Sequence, residues 1–411
     1  MERFFTVSNL ADIMGVSLRT VDTWVKKGTL TIERDTRGRV GFYAGQLAGI
    51  PQLESMIHNR WDEELGVRPL RDFTSIELFA GAGGLALGME EAGFRHVMLN
   101  EFDKAACETL RTNRPGWNVV EGDVHDISFK EYEDKVDLLT GGFPCQAFSY
   151  AGNKAGFEDA RGTLFFELAR AVKEVRPKVF VGENVKGLYT HDNGRTFEVI
   201  KGVISDLGYT LVEPRVLKAV QYKVPQKRER LILVAIRNDI AGKVTFRYPS
   251  PYGRVMTLRD AFFKGDLYDR DVPPSPGEKY PERKREIMGM VPMGGYWKDL
   301  PDDVQREYMK GSYYLGGGKT GIARRLSLDE PSLTLTCAPA MKQTERCHPT
   351  ETRPLTVREY ARIQTFPDDW EFRGKMADQY KQIGNAVPVN LAAAVGRSLI
   401  RLFNDIEKAG L

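Results

Sequence analysis

Short, unbroken apolar runs alternate along the middle of the chain with segments whose apolar residues recur at helical spacing, the pattern of buried strands and amphipathic helices taken in turn. Positions 73–79 alternate and then run apolar, which predicts a first strand. Leu85, Met89 and Ala92 then share one face of a helix. Val97-Met98-Leu99-Asn100-Glu101 predicts a second strand, and a third ends at Gly122-Asp123-Val124. Positions 136–140, 177–182 and 231–236 supply further buried strands. Strands spaced by helices in this way predict the α/β class with an open sheet, whose ligand sites gather at the carboxyl ends of the strands.

The rhythm is absent from two regions. Positions 6–14 and 17–25 read as two short helices joined by a turn containing Gly15, with Ser17 as the N-cap of the second. That is a helix-turn-helix signature, and it places Arg19 and Thr20 at the start of the second helix, where base edges are read. Lys26-Lys27-Gly28 and the arginine-rich positions 34–39 resemble a hairpin wing of the MerR and excisionase-like kind. Residues 1–60 are therefore expected to be a DNA-binding module. Positions 55–71 are charged and carry Pro69, so a linker is expected at 61–72. From about 247 to 341, Pro, Gly, Tyr and charge dominate, as in Pro273-Pro274-Ser275-Pro276-Gly277 and Tyr313-Tyr314-Leu315-Gly316-Gly317-Gly318-Lys319. This shift predicts a loop-rich domain at 247–345, inserted between a first catalytic part at 73–246 and a C-terminal part at 346–411. Its glycine-rich backbone with Lys319, Arg324 and Arg325 suits close approach to a DNA groove.

Composition adds few constraints. A chain of 411 residues, 42% hydrophobic and 28% charged, has the profile of an ordinary globular protein. A net charge of +3 permits a nucleic-acid partner without requiring one. Four cysteines, Cys107, Cys145, Cys337 and Cys347, make no disulfide framework and fit a reducing compartment. Cys347-His348 lacks paired metal-ligand spacing, so no metal site is expected. The start has no apolar signal region and no long apolar run is evident, so a cytoplasmic location away from membranes is expected.

The candidate chemistry sits at strand ends. Ala80-Gly81-Ala82-Gly83-Gly84 follows the first strand and opens a helix, so its N–H groups can approach a ligand closely. Glu101, about 20 residues on, suits a ribose diol, and Asp123 can accept from an amino group. In Gly141-Gly142-Phe143-Pro144-Cys145-Gln146-Ala147-Phe148-Ser149, two glycines release the strand into a loop and Pro144 stiffens the exit just before a thiol. Positions 148–159 read as a loop able to close over a bound partner. Glu183-Asn184 ends another strand, where a carboxylic acid could donate to a ring nitrogen. Six cations crowd positions 215–230 against the single anion Glu229, and alternation there puts Arg228 and Arg230 on one strand face, able to reach a phosphate or a ring oxygen together.

Positions 76–84 taken with 141–149 resemble the cytosine-C5 DNA methyltransferases of bacterial restriction–modification systems. The Pro144-Cys145-Gln146 element is highly specific, and the resemblance extends over about residues 74–245 and 320–400. It implies a Rossmann-like S-adenosylmethionine-dependent methyltransferase domain with a smaller target-recognition domain. It implies that cytosine is flipped from double-stranded DNA, that Cys145 adds at C6, and that C5 takes the methyl group from S-adenosyl-L-methionine. Glu183 then assists the addition, Asn184 holds the loop backbone, Arg228 steadies the cysteine loop and Arg230 touches the target nucleotide. Phe79, Ala80, Gly81, Gly83 and Gly84 would line the cofactor with Glu101, Phe102, Asp123 and Val124. Gly142, Pro144 and Leu164 would join them, and Asn385 and Ala386 would complete the pocket. Ser149 and Arg161 fall to DNA. Glu77 stands where Asp is more usual and Phe102 where Trp is, so charge and aromaticity are kept. The N-terminal module could also repress transcription from its own operator. An RNA (tRNA) cytosine-C5 methyltransferase is the nearest alternative. A nicotinamide dehydrogenase using the same glycine turn, or a regulator that only binds DNA, are rivals of another class.

Overall fold

The computed structural model describes residues 3–36, 38–143, 164–317 and 319–411. In chain order the strands are β1 (Phe4–Thr6), β2 (Glu33–Arg34), β3 (Val40–Tyr43), β4 (Phe73–Leu78), β5 (Phe94–Glu101), β6 (Val119–Glu121), β7 (Leu138–Gly141), β8 (Val179–Val185), β9 (Tyr209–Leu211), β10 (Arg215–Lys218), β11 (Gln226–Lys227), β12 (Glu229–Arg237) and β13 (Ser332–Leu333). The chain divides into two compact units. One joins Met1–Ile57, Lys223–Arg228 and Arg254–Pro388; the other joins His58–Tyr222, Glu229–Gly253 and Val389–Leu411.

The second unit is the expected α/β body. Its mixed sheet runs β10-β12-β8-β7-β4-β5-β6, with β9 also paired to β12. From β8 to β6 all pairs are parallel, and β12 meets both β8 and β10 antiparallel. Ile76, Leu78, Leu139, Phe180, Leu231 and Leu233 are fully or almost fully buried, as strands covered on both faces require. On one face the helix Val389–Lys408 lies against the helix Gly84–Ala92. Their approach depends on small residues: a Cβ on Gly88 would come within 2.4 Å of the Ala392 Cβ. An apolar stretch within Met376–Lys408 is long enough by composition to cross a membrane, contrary to the expectation that no such run exists, but 78% of it is buried in the fold.

Two polar groups fix the helix that follows the glycine turn. A carbonyl can only accept, so the His96 Nε2–H donates to the Ala86 carbonyl at 2.8 Å, and Nδ1 accepts from the Ser75 hydroxyl at 2.9 Å. Burial holds this imidazole below its ordinary pKa, which keeps the neutral form the geometry needs. Glu77, at the end of β4 and almost fully buried, accepts from the Thr140 hydroxyl at 3.3 Å and from the Ala86 backbone N–H.

The stretch 61–72, expected as a linker, is built into this unit. Trp61–Leu65 is helical, and buried Glu64 accepts from the Ser250 N–H at 3.1 Å and from Arg401 at 3.0 Å. Arg71 bridges Asp137 at 2.7 Å and Glu407 at 2.9 Å. The compact-unit boundary falls at Ile57, before the helix, and the C-terminal part 346–411 is likewise divided, at Pro388.

In the first unit, β1, β3 and β2 form an antiparallel sheet beside the helices Val7–Met14 and Leu18–Lys26. Thr6 and Asn9 close a capping box on the first helix, Gly15 ends it at φ 72°, and Ser17 caps the second through the Thr20 N–H. Asp12 of this region pairs with Lys227 at 3.0 Å. The loop-rich part has its own core around Tyr280, Met288, Trp297, Val304 and Ile322. Arg325, expected at a DNA groove, is instead buried and donates to the carbonyls of Val291, Met288, His348 and Glu351. Thr356 and Glu359 form the capping box that opens the helix Val357–Ile363, as their spacing predicts.

Burial lifts the Glu77 carboxyl to about 8 from its ordinary 4.5. The folded state therefore keeps a proton that the unfolded chain releases, and stability falls as pH rises between those two values. Glu77→Gln stays neutral throughout. Its thermal midpoint should gain on the wild type from about pH 5 to pH 8; a gap constant over that range would show that Glu77 is ionised in the fold.

Candidate functional site

The chemically rich residues of the second unit collect where β4, β5, β7 and β8 end. After β4 the backbone turns sharply: Phe79, Gly81 and Gly83 all have left-handed φ, at 59°, 54° and 85°. For Phe79 this conformation is strained, a feature that clusters at ligand sites. A Cβ on Gly81 would meet nothing within 4 Å, so open space lies over the turn. Gly83 caps the helix Gly84–Ala92 without a side-chain hydrogen bond, leaving its first N–H groups at a helix N-terminus suited to polar or anionic ligands.

Glu101 at the end of β5 fastens the turn. Its Oε2 accepts from the Gly81 N–H at 2.7 Å, while Oε1 accepts from the N–H groups of Phe102 at 2.9 Å and Asp103 at 2.7 Å. Beside it the Phe102 ring is 74% exposed, a large flat apolar face that this unit leaves uncovered. Asp123, past β6, accepts from both the backbone and ring N–H of His125, at 3.0 and 2.6 Å, and these bonds hold its carboxyl below the usual range. His125 carried no signal at the sequence level beyond its place two residues on. Val124 is buried, and Leu164 is half-buried against the core. The strained turn, an acid, an exposed aromatic ring and a second acid suit a ligand bearing a diol, a flat base and an amino group.

On the other side of β7, Glu183 and Asn184 end β8. The register places Glu183 opposite Ile232, and Val185 opposite Arg230, on β12. Arg230 Nε reaches Glu183 Oε1 at 2.6 Å, with each side chain only 12% exposed. The second carboxylate oxygen faces the chain leaving β7: a Cβ on Gly142 would lie 3.1 Å from Oε2. Asn184 Nδ2 donates to the Phe143 carbonyl at 2.8 Å and so anchors the last described residue of that exit. Pro144, Cys145, Ser149 and Arg161, together with the expected loop 148–159, lie outside the described residues.

Arg228 and Arg230 do not act as a pair on one strand. The ladder breaks at Arg228: Gln226 and Lys227 pair with Ser332 and Leu333, and β12 begins only at Glu229. Arg228 is buried and donates to the carbonyls of Leu335, Gly384 and Asn385. Asn385 also accepts from the Cys337 thiol at 3.2 Å, and it ends the helix Met376–Asn385 just before Ala386. Arg19 is exposed on the second N-terminal helix, while the Thr20 hydroxyl is engaged with Ser17 at 2.9 Å. Lys319 turns its ammonium onto the carbonyls of Ser312 and Leu315, so it shapes its loop before it can reach outward. Arg324 lies over the Tyr296 ring at 6.0 Å.

Two of the described cysteines, Cys107 and Cys347, are buried and make poor nucleophiles. Burial pushes the Cys107 thiol up to about 12 and raises that of Cys347, while Cys337 is exposed. Among the described residues no cluster of three His, Cys, Asp or Glu could hold a metal ion.

The family model for C-5 cytosine-specific DNA methylases matches residues 73–401. The chain is 62% identical to the Type II methyltransferase M.Eco47II of Escherichia coli over 98% of its length and 97% of that protein's. It is 58% identical to M.PspPI, a Type II methyltransferase of Psychrobacter sp. (strain TA137), over 99% of its own length and 98% of the relative's. Its fold matches the crystal structure of a DNA modification methyltransferase encoded within an E. coli prophage, with a TM-score of 0.59 at 24% identity, covering 81% of this chain and all of that one. The glycine turn, the acids at the strand ends and these likenesses agree: the chain belongs to the C-5 cytosine-specific DNA methylase family and is a DNA cytosine methyltransferase.

Proposed function

We propose that the enzyme methylates C5 of a cytosine turned out of duplex DNA, with S-adenosyl-L-methionine as donor, as the modification half of a restriction–modification system. The carrying observation is the Glu183–Arg230 pair beside Gly142, at the sheet end from which the chain leads to Cys145. Within a stacked duplex C6 is inaccessible, so the base must leave the stack before a thiol can reach it. Cytosine C5 is a poor nucleophile. Addition of the Cys145 thiolate to C6 moves the ring electrons to C5 and divides one hard step into two. A proton arriving at N3 stabilises the electron-rich ring, and we assign its delivery to Glu183. Arg230 holds Oε1, so Glu183 takes a proton from water at Oε2, on the Gly142 side, and passes it to N3. Once C5 carries the methyl group, water takes the C5 proton, the Cys145 thiolate leaves C6 and the N3 proton returns to Glu183.

The bound cofactor supplies an electrophilic methyl group. Glu101 suits its ribose hydroxyls, Asp123 its adenine amino group and the exposed Phe102 ring its adenine face; Phe79 to Gly84 provide the backbone cradle. Following the resemblance, Gly142, Pro144, Leu164, Asn385 and Ala386 are assigned to the same ligand, Ser149 and Arg161 to DNA, and Arg228 to support of the cysteine loop. Residues 247–345 are assigned to target recognition, with Arg324 facing the substrate and Lys319, expected to do so too, instead holding its own loop through the carbonyls of Ser312 and Leu315.

The N-terminal helices and their β2–β3 hairpin support a winged helix-turn-helix reading, with exposed Arg19 as its base-reading residue and DNA near the enzyme's own gene as its target. Two experiments test these assignments. Bisulfite sequencing of DNA from cells expressing the wild type should show protected cytosines in one sequence context, and Cys145→Ala should abolish them; protection confined to tRNA would favour the RNA alternative. Arg19→Ala should weaken binding to the upstream DNA of its own gene by about tenfold, with methyl transfer intact. Unchanged binding would make the module a structural cap.

A further inference from the structure

An aromatic ladder climbs out of the core of the loop-rich part. Trp297, 6% exposed, meets Tyr313 edge-on at 6.1 Å, and Tyr313 meets Tyr314 edge-on at 5.2 Å. Tyr314 is 75% exposed and Leu315 67%, so the ladder ends in two large apolar side chains at the surface. The tip is not loose. Tyr313 donates its hydroxyl to Asp302 at 2.7 Å, and the Lys319 ammonium clamps the carbonyls of Ser312 and Leu315.

Cations interleave with the rings. The Arg306 guanidinium lies over Tyr313 at 5.5 Å, the Lys298 ammonium over Trp297 at 5.7 Å, and Arg324 over Tyr296 at 6.0 Å. Two acids beside these rings are already engaged, Asp302 by Arg306 and Tyr313, and Asp299 by the Tyr296 N–H. The Cβ positions of Gly311, Gly316 and Gly317 on either side of the tip meet nothing within 4 Å, so the backbone there is open to close approach. A rigid, exposed aromatic tip ringed by cations is complementary to a polyanion with flat apolar bases, and duplex DNA is this enzyme's substrate class.

We infer that Tyr314 and Leu315 form the element of the recognition part that stacks on the bases of the DNA substrate, with Tyr313 and Lys319 as the positioning residues that hold it. The inference rests on the assignment of residues 247–345 to target recognition. Because both side chains are exposed, their replacement should not unfold the chain.

The test uses full-length enzyme and unmodified plasmid DNA. The double variant Tyr314→Ala, Leu315→Ala should raise the KM for DNA about tenfold or more, with the KM for S-adenosyl-L-methionine within about twofold of wild type. Tyr314→Phe, which keeps the ring, should stay close to wild type. An unchanged KM for DNA in the double variant overturns the inference while the proposed function stands, provided the wild type methylates the plasmid. A wild type that methylates tRNA and not duplex DNA overturns both. A wild-type dimer that the double variant dissociates, with the KM for DNA unchanged, also overturns the inference and assigns the tip to self-association.

Discussion

At the carboxyl end of β8 a guanidinium holds one oxygen of a carboxylate at 2.6 Å, in a place almost closed to water. Such a pair is poor evidence for stability, because removing two charges from water offsets most of their attraction. Loss of either partner, in contrast, leaves an uncompensated charge at a cost of about 3–5 kcal/mol. The Glu183–Arg230 pair is therefore better understood through what it orients. The antiparallel β12 brings Arg230 alongside β8, and the pair turns the second oxygen of Glu183 toward the chain that leaves β7. Asn184, one residue on, fixes the Phe143 carbonyl of that same exit. Adjacent residues of one strand thus hold both the Glu183 carboxylate and the chain as it leaves β7.

The other half of the site depends on the same sheet. Glu101 binds three backbone N–H groups and ties the end of β5 to the glycine turn after β4. Glu77 and His96 hold the helix that follows, both through Ala86. The sequence difference at Glu77 falls on an internal support beneath the glycine turn.

Much of this was legible from sequence because it is local. Strands that run apolar, glycines that demand positive φ and acids at strand ends follow from rules that act within a few residues. Thr356 with Glu359, and Ser17 at its helix start, were readable for the same reason. What escaped depends on partners distant in the chain. Alternation across positions 226–236 assumed one continuous strand, but Gln226 and Lys227 find partners at Ser332 and Leu333 and the ladder breaks at Arg228. The charged stretch after residue 60 looked like a linker because nothing local shows that Glu64 will meet Ser250 and Arg401. Arg325 looked suited to a DNA groove by type, yet four carbonyls claim it. Residue type suggests a role, and burial decides whether the side chain can perform it.

The assignment of Glu183 is tested most directly with duplex DNA carrying 5-fluorocytosine at the target position, mixed with enzyme and cofactor. Wild type should form a denaturant-resistant adduct through Cys145. Glu183→Gln should form it about 100-fold more slowly or worse, with affinity for S-adenosyl-L-methionine within about twofold. Equal adduct rates in the two enzymes, or a matching loss of cofactor affinity, would contradict a role for Glu183 in activating the ring.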